Sequence, residues 1–95
     1  VGTGVTTHEP AIRLPDVTGD LLPVALDDTR VCYWKQDGSW WIYLPRAGVG
    51  RLVNHTIIEH EDGIISVSPS VGLRNSLEGG FARHGYLERG VWREC

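Results

Sequence analysis

The side chains able to act on a substrate or hold a metal are few: four histidines (His8, His55, His60, His84), two cysteines (Cys32, Cys95) and the serines of a Ser-Pro-Ser segment, Ser66, Ser68 and Ser70. His84 and Cys95, with one of His55 or His60, would make a three-ligand zinc site if two later hairpins are neighbours. His55 and His60 are five positions apart, so a strand points them to opposite faces and they do not share a metal. The simpler reading makes His84 a hydrogen-bonded histidine beside a tight Gly85, with His55 and His60 at a surface or sheet edge. Nucleophilic catalysis needs one of the three serines beside a base, and only His84 by folding back, or His60 facing Ser66, offers one. The chain has no G-x-S-x-G elbow, and hydroxyls around Pro69 more simply satisfy backbone groups at a strand end. Glu59, Glu61 and Asp62 gather at one turn, but a convex tip lacks the cleft in which paired carboxylates would flank a sugar. The cysteines form no C-x-x-C motif. They permit one disulfide only if the C-terminus packs near Cys32, and two reduced thiols are the simpler state. These residues call for no cofactor.

The elements that would position such residues are built around residues 31–44, VCYWKQDGSWWIYL. Two β-branched and aromatic runs flank Asp37-Gly38, the dipeptide suited to the positive φ angles of a type I′ turn. A two-residue loop sets Lys35 against Trp40, Trp34 against Trp41, Tyr33 against Ile42, Cys32 against Tyr43 and Val31 against Leu44. One face then carries Val31, Tyr33, Trp40, Ile42 and Leu44, and the other Cys32, Trp34, Trp41 and Tyr43. Neither face is polar, so each needs cover from the chain or from another molecule. Trp34, Trp40, Trp41 and Tyr43 are the candidate binding residues, since Trp and Tyr supply rigid contact area at protein interfaces. A sugar-stacking platform and plain core packing are the competing readings.

Residues 1–30 read as an extended arm, because Pro10, Pro15 and Pro23 forbid helical propagation. The arm carries Ile12, Leu14, Val17, Leu21, Leu22, Val24 and Leu26, which need apolar surroundings, and an edge strand is expected over residues 21–26. Residues 31–95 form a single β-rich domain. The glycine-bearing loop over residues 45–50 lacks the Lys and the following helix of a phosphate cradle. A second hairpin turns at Asp62-Gly63, and a two-residue loop sets His60 against Ile65, Glu59 against Ser66 and Ile58 against Val67, with Ile58, Ile65 and Val67 on one half-buried face. Pro69 marks that strand's exit at an edge. Residues 73–82 form a loop with its tip at Gly79-Gly80. A third hairpin closes over Glu88-Arg89-Gly90, where Arg is a poor left-handed residue, so a three-residue loop with Gly90 at the bulge is expected. Tyr86 then faces Trp92, and His84 lies near Cys95. No helical period runs for ten residues. The fold expected is all-β, a small antiparallel sandwich or partly open barrel of three hairpins with a proline-rich arm.

Ninety-five residues make one domain. Nine Lys and Arg against twelve Asp and Glu give a net charge of −3, which argues against a nucleic-acid partner bound through its phosphates. Neither an apolar run of the roughly 20 residues that span a bilayer nor a leader pattern is present, so no membrane partner is expected.

ISVSPSV over residues 65–71 and HGYLERGVWREC over residues 84–95, with WWIYLPRAGVGRL upstream, resemble a family of small uncharacterised bacterial and bacteriophage proteins. Its members carry an SPS[IV] segment followed by a His-Gly-aromatic-Leu-x-x-Gly ending. The likeness covers residues 40–95 and excludes the arm. Many relatives place cysteines where this chain has Arg46-Ala47-Gly48 and Phe81-Ala82-Arg83, so their cysteine pattern is not carried over. The resemblance implies a phage or prophage accessory protein, in the bacterial cytoplasm or the virion. Residues and resemblance together point to a non-catalytic structural or interaction module, an oligomer or a protein-docking subunit. A metal-binding protein or metal-dependent enzyme using His84 and Cys95 is the alternative.

Overall fold

A computed structural model describes residues 8–74 and 82–95. Two sheets face each other and no described residue is helical. One is four-stranded, in the order β2 (Ile12–Arg13), β3 (Cys32–Gln36), β4 (Ser39–Leu44) and β5 (Gly48–Arg51). The other is five-stranded, in the order β1 (His8–Pro10), β9 (Val91–Glu94), β8 (Ala82–Glu88), β7 (Ile65–Arg74) and β6 (Thr56–Glu59). All pairings are antiparallel except β2 on β3. The result is an all-β sandwich and not a closed barrel.

The first hairpin has the register its sequence dictates, from Cys32 opposite Tyr43 to Lys35 opposite Trp40. Asp37 and Gly38 take φ values of 49° and 84°, as the two central residues of a type I′ turn must. Val31, Tyr33, Trp40, Ile42 and Leu44 face the five-stranded sheet and pack with Ile65, Val67, Val71, Leu87 and Trp92 in the main core. Cys32 and Trp34 face outward, yet both are fully buried in a second cluster with Leu14, beneath a cover contributed by the chain itself. The alternation of a two-sided apolar ribbon is therefore resolved into two cores, one on each face.

Several local expectations are corrected. The second hairpin is one residue out of the expected register: Ile57 opposes Val67, Ile58 opposes Ser66 and Glu59 opposes Ile65. Its loop has three residues, Glu61, Asp62 and Gly63, with Gly63 at φ 80° and His60 N–H donating to Ile64 O at 2.8 Å. A one-residue slip exchanges the faces of a strand, so Ile57 packs on the core and Ile58 is 54% exposed. The third hairpin errs the other way. Glu88 opposes Val91, Tyr86 opposes Arg93 and Leu87 opposes Trp92, around a two-residue Arg89-Gly90 turn. Arg89 accepts φ 46° because the turn is anchored from below: its N–H donates to Ser66 Oγ at 2.9 Å, and Gly90 N–H to Ile65 O at 3.0 Å.

Pro69 does not end a strand. It lies inside the ten-residue β7, at the irregularity where pairing with β8 shifts between Val67 and Val71, a place where a missing amide donor is tolerated. Residues 48–50, expected as loop, belong with Arg51 to β5, because Pro45 and Arg46 (φ 71°) make a tight turn closed by Ala47 N–H on Leu44 O at 2.9 Å. The loop expected over residues 73–82 is shorter, since Leu73 and Arg74 end β7 and Ala82, paired with Arg74, begins β8, while its expected Gly79-Gly80 tip lies outside the described residues.

The arm also departs from expectation, since residues 21–26 form no strand. Its strands are β1 and β2, and the chain crosses between the sheets at Ala11, whose N–H donates to Gly90 O at 2.8 Å. Beyond β2 the arm runs parallel to β3, with Leu14 N–H on Tyr33 O and Val17 N–H on Lys35 O, both at 2.9 Å. That course places Leu14, Val17 and Leu26 over Cys32 and Trp34.

Candidate functional site

Where the aromatic hairpin meets the arm, the outer face of the four-stranded sheet is only partly covered. The arm covers β3, and the cover ends over β4 and β5, leaving Trp41, Tyr43 and Val49 half-buried around the outer cluster. Tyr43 O–H donates to Asp28 O at 3.1 Å, and burial pushes its phenol above the ordinary value. Of the four expected binding residues, Trp34 and Trp40 are interior (0% and 9% exposed), and Trp41 and Tyr43 remain at the surface.

Gln36 sets the edge of the cover. Its Oε1 accepts the buried indole N–H of Trp34 at 2.8 Å, and its Nε2 donates to Gly19 O at 2.6 Å and Leu21 O at 3.1 Å. Asp37, at the hairpin tip, accepts the Gly19 N–H through both carboxylate oxygens at 3.3 and 3.2 Å. The loop is thereby held as a wall standing on the sheet. Between wall and sheet lies a groove of about 300 Å³, with Trp41, Ser39 and Arg51 on its floor and Asp20, Leu22 and Asp37 along its sides. Trp41 and Arg51 are direct cross-strand partners. Among the described residues, the side chains of Asp20, Ser39 and Arg51 have no hydrogen-bond partner.

Past the groove the loop is apolar and bare. Leu21 is 81%, Leu22 53% and Val24 106% exposed, whereas Pro23 is buried and Leu26 packs on the outer cluster. Pro23 O accepts Leu26 N–H at 3.2 Å, and this turn directs some side chains inward and others outward. Three large apolar side chains are thus held in water by a well-anchored loop. Asp27 fixes the return: its carboxylate accepts the Thr29 hydroxyl at 2.6 Å and the Thr29 N–H at 2.9 Å, which holds it below the usual carboxylate range.

The histidine and serine candidates lie elsewhere. His60 Nε2 meets Ser66 Oγ at 2.8 Å, and His84 Nε2 meets Ser70 Oγ at 2.7 Å. Each is a contact that an activated serine requires. Among the described residues, however, neither histidine has a second group to orient its ring, and Ser66 Oγ already accepts the Arg89 N–H. Ser66 thus serves the turn above it. His55 lies between carbonyls, Nδ1 at 2.6 Å from Val53 O and Nε2 at 3.1 Å from Ser70 O. Glu59, Glu61 and Asp62 line an open depression with His60 and Arg89.

The third hairpin brings His84 and Cys95 together across β8 and the chain end, with Cys95 N–H on His84 O at 2.9 Å. No group of three or more His, Cys, Asp or Glu able to hold a metal occurs among the described residues. The cysteines are both free. Cys32 is enclosed in the outer cluster, where burial raises its thiol above the ordinary value, and Cys95 is exposed.

Asp20, Leu22, Gln36, Asp37 and Arg51 are groove residues that sequence reasoning missed. The usable signal was Gln36: it follows Trp34 on the outer face, directly before the turn, where an amide among aromatics needs partners. No family model, no curated protein and no solved structure matches the chain.

Proposed function

We propose that the chain is a non-catalytic interaction module that docks on copies of itself or on a larger assembly through the outer face of its aromatic hairpin and the adjoining arm. The observation that carries this reading is the bare loop: Leu21, Leu22 and Val24 are exposed, and Leu22 shares a groove with the half-covered Trp41. Isolated exposed apolar residues are ordinary, whereas three within four positions of an anchored loop, one of them beside a tryptophan, are what contact surfaces present. The loop's ordering is already met by Gln36 and Asp37, so little entropy is lost when a partner covers it. A bacteriophage virion or accessory protein is the setting in which we place the module, on the strength of the SPS and His-Gly-aromatic segments.

Light scattering over a concentration series tests the self-docking form. The wild-type mass is expected to rise above 10.5 kDa with concentration, and a Leu21→Ser/Leu22→Ser/Val24→Ser variant to stay at that value. A wild-type chain that remains monomeric throughout, or a triple variant that associates equally well, refutes docking between copies through this loop.

A further inference from the structure

We infer that the groove beside Trp41 receives a basic side chain, arginine in the first place, presented by the docking protein. The inference rests on reading this face as a docking surface and names the chemistry of what enters it.

Two other aromatic rings of this chain carry a cation. Trp40 has the Arg13 guanidinium 4.9 Å from its centroid and the Lys35 ammonium at 5.6 Å. Tyr86 has the Arg93 guanidinium at 4.6 Å. Among the described residues, Trp41 has no cation over its ring, although Arg51 is its direct cross-strand partner. A tryptophan face is the best aromatic acceptor for a cation, and this one is the floor of a groove about 300 Å³ in volume.

Charge on the walls points the same way. Asp20 and Asp37 stand over the floor against one guanidinium, Arg51, so the groove is net negative. The chain as a whole carries −3. Asp37 spends part of its acceptor capacity on Gly19 N–H, whereas Asp20 is unbonded among the described residues. A planar guanidinium stacked on Trp41 places its in-plane N–H groups toward the side walls, where carboxylates accept them. Gln36 and Asp37 have fixed the walls in advance, so a single incoming side chain finds its partners already placed. Leu22, exposed at the groove's edge, would then lie against a charged centre and help exclude water from it.

The test is a titration of the intact protein with acetyl-Gly-Arg-Gly amide, followed by the NMR shifts of the Trp41 indole N–H and the Ser39 amide. The neutral citrulline peptide, of the same shape, is the control. Asp20→Asn/Asp37→Asn removes both charges, while an asparagine at the hairpin tip keeps the left-handed turn and an oxygen for Gly19 N–H. Saturable shifts with the arginine peptide in the millimolar range are expected, with affinity about tenfold weaker in the double variant and no saturation with citrulline. Equal binding of the citrulline peptide, an unchanged affinity in the double variant, or silence at tens of millimolar overturns the inference. A methyl hexoside that saturates the same signals while arginine does not overturns it in favour of a sugar. Self-association that is lost in the Leu21/Leu22/Val24 variant, alongside a groove indifferent to arginine, leaves the docking reading standing and removes only this one. A triple variant that associates as well as the wild type, together with a groove indifferent to arginine, overturns both.

Discussion

Gln36→Leu is the substitution that most sharply tests how the arm is held. The wild-type amide is satisfied on both sides, by the Trp34 indole within the outer cluster and by the Gly19 and Leu21 carbonyls in the loop. Leucine has nearly the same volume and no polar atoms, so packing is largely kept. The Trp34 Nε1–H, on a side chain with no exposed surface, is left without an acceptor, which costs about 1–3 kcal/mol. The two carbonyls regain water as the loop loosens, so their loss is about 0.5 kcal/mol each, at the lower end for a hydrogen bond. Burying leucine in place of an amide offsets part of this. A net loss of about 2 kcal/mol follows, which for a chain of this size lowers Tm by roughly 8–16 °C.

Urea denaturation gives the free energy, and limited proteolysis reports the loop separately. Cleavage beside Leu21 and Leu22 should accelerate in Gln36→Leu more than global unfolding explains, because the wall loses both its Gln36 anchors. Gln36→Glu bears on the loop contacts: a carboxylate still accepts the indole N–H but is repelled by the Gly19 and Leu21 carbonyls, so loop cleavage should rise at least as much as in Gln36→Leu. A Gln36→Leu protein within about 0.5 kcal/mol of wild type, the level of an ordinary surface change, with the loop equally resistant, would refute the account of Gln36 as the anchor.

Two further predictions concern the five-stranded sheet. Gly85→Ala puts a Cβ 2.7 Å from Trp92 Cζ2 and against the Arg93 carbonyl, neither of which can yield freely, so a loss of about 1–3 kcal/mol in urea is expected from overpacking. The second is a pH dependence: burial pushes the Glu94 carboxyl up, but hydrogen bonds from Arg83 (2.7 Å) and Trp92 (2.7 Å) outweigh it and hold the group below the usual carboxylate range. The folded state therefore binds the proton less readily than the unfolded state. Glu94 contributes stability above the unfolded value of about 4.3, and that contribution disappears as pH falls through the lower folded value. Denaturation midpoints of Glu94→Gln should be lower than wild type at pH 7 and converge with it in acid.

What the sequence disclosed depended on whether the deciding interaction was local. Asp37-Gly38 with apolar alternation on both sides specified the first hairpin, its register and both of its faces. The same signal at Asp62-Gly63 was one residue ambiguous, because Asp-Gly serves a three-residue loop as readily as a two-residue one. The choice was made by the core, which takes Ile57 and rejects Ile58. At Arg89-Gly90 local preference was overruled: arginine is held left-handed by Ser66, 23 positions away in the chain. Pro45 hid β5 in the same manner, since a proline followed by glycines resembles loop until the turn it makes is seen to return the chain along β4. The groove was invisible for a related reason. Its floor comes from the hairpin and its wall from the arm, and only Gln36, among the residues joining them, carries a trace of that contact in its type and place.

The arm also decides how much of the aromatic ribbon is left for a partner. A strand pair apolar on both faces in so short a chain reads as too oily to be covered from within, yet the sandwich buries Trp40 and Trp92, and the arm buries Trp34. Docking need not bury the ribbon itself. The cover that shields Trp34 has its own apolar residues, and the turn at Pro23 sends Leu26 down onto the cluster and Leu21, Leu22 and Val24 outward. Covering one oily surface has thus generated a smaller one, displaced to the edge of the cover, next to the tryptophan that the arm leaves half-covered. The contact surface proposed for this chain is therefore made by the arm as much as by the hairpin. It follows that the two should fail together: loosening the arm at Gln36 should remove docking even though every residue of the apolar rim is unchanged.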